Sequence, residues 1–192
     1  APGIAANIRI GHAGFSISDS GVIAYRQASR SELVWVDSTG NEIESVGEGR
    51  SPWMIPGSNQ VVAERNEPSQ GGQTDIFLID TDRGINSRFT FDPSSDQYPI
   101  ASPDGTEIIF TSRRTGYDDL YVKTATGTGE GEILLASEES KHATDWSADG
   151  RYVLYTNLSP TTTRDLWVLP RSAVSEPFPF LQTVFDERHG QF

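Results

Sequence analysis

The sequence predicts an all-β protein built from four copies of one small antiparallel sheet, and three observations support this prediction. A turn phrase recurs along the 192 residues, and its clearest copies are Ala101-Ser-Pro-Asp-Gly105 and Trp146-Ser-Ala-Asp-Gly150. An acidic residue followed by an apolar run recurs with it, as in Asp119-Leu-Tyr-Val122. No segment keeps a 3.6-residue apolar period over the roughly ten residues that a helix needs. We therefore expect a repeat protein with almost no helix.

The turn phrase and the acidic phrase recur with the same period along the chain. The apolar residue after each acid is Leu33, Ile76, Leu120 and Leu166, which gives a period of about 44 residues. In the third repeat, turn residues separate four short runs of strand-forming residues. These runs are 100–102, 108–111, 120–123 and 132–135. Each repeat therefore predicts one four-stranded antiparallel sheet.

Repeated sheets of this kind predict a β-propeller. A four-stranded sheet cannot bury both of its apolar faces alone, so neighbouring sheets stack, and their twist bends the stack into a ring. Aromatic residues of the first and third strands are expected between blades, with Val34 in their place in the first repeat. They are Trp53, Phe77, Tyr121, Trp146 and Trp167. The predicted blades are residues 15–50, 51–96, 97–140 and 141–189, after an N-terminal arm, 1–14, with a candidate closing strand.

The repeats resemble the TolB-like, WD40-like propeller repeat, whose signature is Ser-Pro-Asp-Gly, an apolar strand and then Asp-Leu-Tyr-Val. Residues 101–110, followed by Asp119-Leu-Tyr-Val122, nearly reproduce that signature. The resemblance covers residues 15–192 and is most specific in the third and fourth repeats. The second repeat has Ile55-Pro-Gly-Ser58 at the turn, and the first has Ser18-Asp-Ser-Gly21 without the proline.

Four segments also resemble propeller regions at the C-terminal side of bacterial membrane-anchored serine/threonine protein kinases. They are residues 33–37, 88–92, 144–147 and 177–182. This resemblance implies an extracytoplasmic sensor or interaction module attached to a kinase. The chain itself has no Gly-rich phosphate loop after a strand and no His-Arg-Asp or Asp-Phe-Gly motif.

The last residues indicate more blades than four. Gly190-Gln-Phe192 falls where the first strand of a fifth repeat is expected. We therefore expect the four blades to belong to a larger propeller of six or more blades. The free faces of the first and fourth blades would then be apolar and able to pair with the missing blades or with a second copy. A closed four-bladed ring is the alternative.

Charge and composition exclude several classes of partner and cofactor. Fifteen Lys and Arg residues against 27 Asp and Glu residues give a net charge of −12, which repels nucleic acid and anionic membranes. No apolar stretch approaches the roughly 20 residues of a membrane span. The absence of cysteine removes thiolate metal sites and cysteine nucleophiles. We expect no nucleic acid ligand, no membrane contact by this segment and no cofactor.

Catalysis is not expected from these residues. Acyl transfer needs a nucleophile, a base and an orienting acid, but the chain has three histidines and no Gly-x-Ser-x-Gly elbow. Asp104 and Asp149 lie in turns, where an aspartate accepts hydrogen bonds from nearby amides. The acid before each third strand recurs in every blade, which indicates a scaffold role. No converging set of carboxylates or histidines predicts a metal site.

A ligand-binding surface is predicted where the inner strands begin. His142 and His189 hold equivalent places before the fourth and the expected fifth inner strands, and a basic residue precedes each of them. Gln97 holds the same place in the third repeat. In a propeller these positions open onto one mouth of the central channel, where ligands bind because several blades converge. The predicted site is Gln97, Tyr98, Lys141, His142, Arg188 and His189.

The sequence therefore favours a non-catalytic module that binds a protein, peptide or glycan. By resemblance, it is the extracytoplasmic region of a bacterial serine/threonine kinase, at the cell surface or in the periplasm. One alternative is the propeller that gates a hydrolase of the dipeptidyl-peptidase or prolyl-oligopeptidase type. Another is a periplasmic interaction scaffold of the TolB type, and a channel-metal lyase would need more histidines than these. Fold resemblance alone does not choose among these functions.

Overall fold

The computed structural model describes residues 15–17, 23–26, 32–67, 72–172 and 175–192. All regular elements in this part of the chain are β-strands, which confirms the all-β prediction. The described residues accordingly include no helix long and apolar enough to cross a membrane. The predicted N-terminal arm, residues 1–14, lies outside the described residues.

In the described residues, sixteen strands form four sheets. The first sheet contains β1 (Phe15–Ile17), β2 (Ile23–Arg26), β3 (Glu32–Val36) and β4 (Glu42–Glu48). The second contains β5 (Arg50–Met54), β6 (Gln60–Glu67), β7 (Gln73–Asp80) and β8 (Ile85–Arg88). The third contains β9 (Asp96–Ala101), β10 (Glu107–Ser112), β11 (Asp119–Thr124) and β12 (Glu132–Leu135). The fourth contains β13 (Lys141–Trp146), β14 (Tyr152–Ser159), β15 (Thr163–Pro170) and β16 (Phe178–Leu181). Strands pair antiparallel in chain order within each sheet, which confirms the predicted four-stranded blades.

Consecutive sheets pack against one another around their inner strands. Strand β5 contacts the first sheet, β9 contacts the second and β13 contacts the third. No comparable packing joins the first sheet to the fourth among the described residues, so the sheets form an open arc of blades. This arrangement is a partial β-propeller.

Apolar side chains between the blades hold the arc together. Phe110 and Tyr121 of the third sheet share one buried cluster with Ile76 of the second. Trp146 of the fourth sheet is only 7% exposed and shares another cluster with Ile109 of the third. The apolar area buried in such clusters is the main favourable term in stacking the sheets.

The acid that recurs before each third strand is part of the scaffold. Asp75 is fully buried and pairs with Arg88 of its own blade at 2.8 Å. Asp165 is also buried, and it accepts hydrogen bonds from the Thr162 hydroxyl at 2.7 Å and the Gln182 amide at 2.9 Å. Buried carboxylates persist where such partners offset their lost hydration. The acids therefore anchor the loops and outer strands of each blade.

The repeated turns are stabilised by their own side chains. Asp104 accepts a hydrogen bond from the Thr106 amide at 3.0 Å, and Ser102 accepts one from the Glu107 amide at 3.0 Å. Gly105 has a φ of 70° and lies against the preceding blade, where a Cβ would come within 2.3 Å of the Pro56 carbonyl oxygen. Glycine is therefore required at this turn for both conformation and space.

The C-terminal segment, residues 182–192, crosses the face of the fourth sheet that points away from the third. Side chains alternate along a strand, so Leu154 lies on this face while its neighbours face the third sheet. Gly190 packs so closely here that a Cβ would come within 2.5 Å of Leu154 and 3.0 Å of Leu166. The Phe192 amide donates to Asp145 at 2.8 Å. No strand forms in this segment, and the predicted fifth blade stays a prediction.

Candidate functional site

The two ends of each sheet differ, and the candidate site lies at one of them. We call the end where β5, β9 and β13 begin the start face, and the end with the hairpins that follow these strands the turn face. On the start face, Arg50 pairs with Glu64, Gln97 with Thr111 and His142 with Thr156. Arg50, Gln97 and His142 thus occupy the same register in three blades, with three different side chains.

Contacts between blades fix Tyr98 at the centre of this face. The Tyr98 amide donates a hydrogen bond to the Glu64 carboxylate of the second blade at 2.9 Å. Glu64 is 5% exposed and also lies 3.5 Å from the Arg50 guanidinium. The Tyr98 ring meets the His142 ring of the fourth blade edge to face, with centroids 4.9 Å apart. We call Arg50, Glu64, Tyr98, His142 and His189 the mouth cluster.

The backbone of the start face is strained. Among the described residues, the non-glycine residues with positive φ are Ser51 (48°), Tyr98 (53°), Thr163 (76°) and His189 (59°). Three of them are on or beside mouth-cluster positions, and Thr163 begins β15 at the same end of its sheet. Positive φ is unfavourable for residues with a Cβ and persists only where the surroundings impose it. Such residues concentrate at functional sites, which favours the start face as the functional one.

Burial sets the protonation states of the cluster. The Nδ1 atom of His142 is buried with no hydrogen-bond partner in the described structure. Burial, chiefly, lowers the pKa of His142 to about 4, with the positive charges of Arg164 and Arg113 acting in the same direction against Asp118. Burial and the Glu64 charge raise the pKa of Tyr98 to about 12. At neutral pH the cluster therefore presents an uncharged imidazole and a protonated phenol.

The structure brings together some of the residues predicted to form the site. Tyr98 and His142 are in contact, and the charge of His189 acts on the pKa of His142. Gln97 is half-buried at the equivalent position of the third blade, and Arg188 pairs with Asp186. These five residues lie at one end of the arc, and their role in binding stays a prediction.

Lys141 lies apart from this group. Its ammonium is 2% exposed, pairs with Asp119 at 2.9 Å and donates to the Glu139 carbonyl. The side chain therefore links the fourth blade to the repeated acid of the third and points away from any ligand at the mouth. Alternation along β13 explains the difference, because Lys141 and His142 face opposite sides of the strand.

Sequence reasoning missed several residues of the start face. Arg50 and Glu64 pair across β5 and β6, and the period that led to Gln97 also leads back to Arg50. Asp118 and Arg164 lie directly before the repeated acids of the third and fourth blades and act on the pKa of His142. The repeat register identifies the positions of these four residues, but it does not predict the contacts between them.

The described contacts of His142 are its ring contact with Tyr98 and a buried Nδ1 atom that has no hydrogen-bond partner. No group of three His, Asp or Glu side chains in the described part of the chain converges to hold a metal ion. Aromatic, amide and paired ionic groups together are suited to recognition of another molecule.

Solved structures share this fold. A TolB-type protein of Agrobacterium tumefaciens superposes with a TM-score of 0.76 at 19% identity, covering 89% of this chain and 66% of that one. TolB of Acinetobacter baumannii superposes with a TM-score of 0.73 at 21% identity, covering 86% of this chain and 42% of that one. An oligogalacturonate lyase in complex with manganese superposes with a TM-score of 0.65 at 16% identity, covering 86% of this chain and 52% of that one. The fold is therefore that of TolB-type β-propellers.

Sequence comparison gives a shorter match. Tricorn protease homolog 1 of Streptomyces coelicolor is 26% identical over 95 residues, which are 50% of this chain and 9% of that protein. No protein-family model matches the chain. The chain spans about a tenth of the curated relative and less than two thirds of the solved structures above.

Proposed function

We propose that this chain is a non-catalytic interaction module of the TolB type, which binds a protein or peptide at the start face. The observation that carries the proposal is the contact of three blades at the mouth cluster, where Glu64 fixes a strained Tyr98 against an uncharged His142. A site assembled from several blades is absent from any single repeat, so the repeat scaffold does not require it. The TolB-type fold supports the interaction role by analogy.

Ion pairs lie at the start face. Arg50 pairs with Glu64, Arg113 with Asp118, and both Arg164 and Arg188 with Asp186. Charges of this kind steer encounter and select partners more than they add affinity. Peptides without basic residues are suitable probes of this face, because the net charge of −12 attracts basic peptides to the whole protein.

The proposed location is extracytoplasmic, as the TolB-type resemblance implies. Attachment to a serine/threonine kinase stays a prediction from the sequence, because the similar proteins named above do not include a kinase. The interaction role of the module does not depend on which domain is attached to it.

A hydrolase-associated propeller is the second candidate. The match to Tricorn protease homolog 1 favours it, since this chain would then be a small part of a large protease. The structure of a tricorn protease also shares the fold, with a TM-score of 0.63. In that case the start face would contact a substrate on its way to a catalytic domain, and the residues described above would still lack catalytic activity.

Selection of ligands from a displayed library of random peptides without lysine or arginine tests the proposal. The full chain is used for selection, and a glycan array is probed in parallel. The selected ligand is expected to bind His142→Ala and Tyr98→Ala at least about tenfold more weakly than the wild type, because both side chains form the contact surface.

Arg151→Ala is the matched control, since this exposed side chain lies on the turn face. It is expected to leave the affinity unchanged within about twofold. The unfolding midpoint of each variant is measured first, so that lost binding is not lost folding. Ligands that bind both start-face variants as well as the wild type would contradict the proposal.

A further inference from the structure

A groove on the turn face lies far from the mouth cluster, at the opposite ends of the same strands. Two adjoining cavities of about 400 Å³ and 670 Å³ share Asp149, Gly150 and Arg171. The first lies between the Pro103-Asp104 turn of the third blade and Trp146 of the fourth. The second continues along the fourth blade to the outer strand β16. Together they form an elongated depression across two blades.

Rigid apolar side chains form part of its walls. Pro103 and Trp146 line the first cavity, and Tyr152, Pro170 and Phe178 line the second. Phe178 is 45% exposed, so a ligand in the groove would remove apolar surface from water. Aromatic walls of this kind lose little conformational entropy on binding and accept the stems of long side chains.

The groove carries excess negative charge. Four carboxylates line it, those of Asp104, Glu107, Asp149 and Glu176, against the two guanidinium groups of Arg151 and Arg171. Hydrogen bonds from the serines and amides of the turns lower the pKa of Asp104 and lower that of Asp149 to about 2. The two turn carboxylates therefore stay ionised at any pH at which a ligand would be tested.

An arginine of the chain itself shows how the groove holds a guanidinium. Arg171 lies with its Nη2 atom 2.8 Å from Glu107 of the neighbouring blade and its guanidinium 5.3 Å from the centre of the Trp146 ring. Arg151 repeats the arrangement between Asp149 and the Tyr152 ring, at 5.6 Å from its centre. A carboxylate on one side and an aromatic face on the other is a favourable environment for an arginine.

We propose that this groove docks an extended basic segment of a partner protein, with arginine or lysine side chains directed to the carboxylates left without a basic partner in it. Asp104 and Glu176 are exposed at its two ends and are the carboxylates that no arginine of the groove pairs with. A strand-like segment can reach both because the two cavities are continuous. This surface is independent of the one proposed for the start face, because the two lie at opposite ends of the strands.

An Arg-Gly repeat peptide and a Glu-Gly peptide of the same length are suitable probes, with binding to the full chain followed by fluorescence anisotropy. The basic peptide is expected to bind and the acidic one is not. The double variant Asp104→Asn and Glu176→Gln is expected to weaken binding about tenfold and to reduce its dependence on salt. Asparagine keeps the acceptor oxygen of the turn, so the fold is retained.

A matched double variant separates the groove from general attraction to an acidic protein. Glu132→Gln with Glu138→Gln removes the same charge from exposed positions outside the groove and is expected to change the affinity by less than about twofold. Phe178→Ala is expected to weaken binding a few-fold through lost apolar contact. Tyr98→Ala is expected to have no effect, so failure here is distinguishable from failure at the start face.

Two results would overturn the docking proposal. One is an equal loss of affinity in the two double variants, which would mean that only net charge attracts the peptide. The other is binding of the acidic peptide as strongly as the basic one. Unfolding midpoints of all variants, measured in the same buffer, confirm that each comparison is made between folded proteins.

Discussion

The start face and the turn face of the arc hold unusual backbone conformations in different ways. On the turn face, glycines such as Gly105 and Gly150 take the positive φ values that the hairpins need. On the start face, Ser51, Tyr98 and His189 take positive φ although each has a Cβ. Glycine adopts positive φ without a steric penalty, and glycine turns of this kind recur in the blades. The non-glycine residues of the start face need support from neighbouring blades to keep the same conformation.

The contrast shows where function can vary on a repeated scaffold. Turn residues such as Asp104 and Asp149 serve their own blade in the same way. The start-face register instead carries arginine, glutamine and histidine in three successive blades, as Arg50, Gln97 and His142. Positions that keep their chemistry in each blade maintain the fold, and positions that differ are free to make one site.

The largest predicted effect concerns the packing between blades at the turn-face end. Trp146→Ala is expected to lower the free energy of unfolding by about 3 to 5 kcal/mol, because it leaves a cavity between the third and fourth blades. Chemical denaturation measures the change. Phe180→Ala is the control, since this side chain is 68% exposed and its loss should cost under about 0.5 kcal/mol. Equal effects would mean that Trp146 does not hold the blades together.

A glycine pair tests whether the turn face depends on contact between blades or on backbone conformation alone. Gly105→Ala is expected to cost about 3 kcal/mol, because its Cβ would meet the Pro56 carbonyl and its φ is positive. Gly57 has nearly the same φ, 73°, and nothing within 4 Å of the added Cβ. Gly57→Ala should therefore cost only about 1 kcal/mol. A similar loss of stability in both variants would show that the Gly105 turn does not contact the Pro56 carbonyl of the preceding blade.

The start face is expected to make stability depend on pH. The unfolded imidazole of His142 binds a proton below about pH 6.5, while the folded one stays neutral until about pH 4. The unfolded state thus binds more protons in this range, and stability falls as the pH falls. We expect His142 to account for about 2 to 3 kcal/mol of the loss between these pH values. The measurement compares the free energy of unfolding of the wild type and of His142→Gln at several pH values. Parallel plots of this free energy against pH for the two proteins would contradict the expected role of His142.

The smallest predicted effect is a gain in stability on the start face. Ser51→Gly should relieve the positive φ and raise the free energy of unfolding by about 0.5 kcal/mol, after the cost of a more flexible unfolded chain. Gly57→Ala is its reverse on the turn face. Destabilisation by Ser51→Gly would mean that the start face is not strained at this position.

The sequence predicted the blades well because their signals are local. The Asp104 and Asp149 turns and the acids before the third strands are read within a few residues of chain, and the structure contains them as hydrogen-bonded turns and buried anchors. Strand alternation follows from the same short windows. The all-β class and the four-stranded sheets could therefore be derived from the repeat alone.

The candidate site was harder to predict because it depends on contacts between blades. The burial of Lys141 against Asp119 and the hydrogen bond from Tyr98 to Glu64 join residues that are far apart in sequence. Bulges on the inner strands, as between Arg50 and Trp53, shift the register that would align them. The groove of the turn face was not anticipated for the same reason, since its walls come from two blades.

Hydrogen exchange of the full chain, with and without the selected peptide, locates the surface that binds it. Added protection is expected at the first residues of β9 and β13 and around His189, where the mouth cluster lies. The hairpins after these strands, around Gly105 and Gly150, should exchange as in the free protein. Protection confined to those hairpins, with the start face unchanged, would contradict binding at the start face.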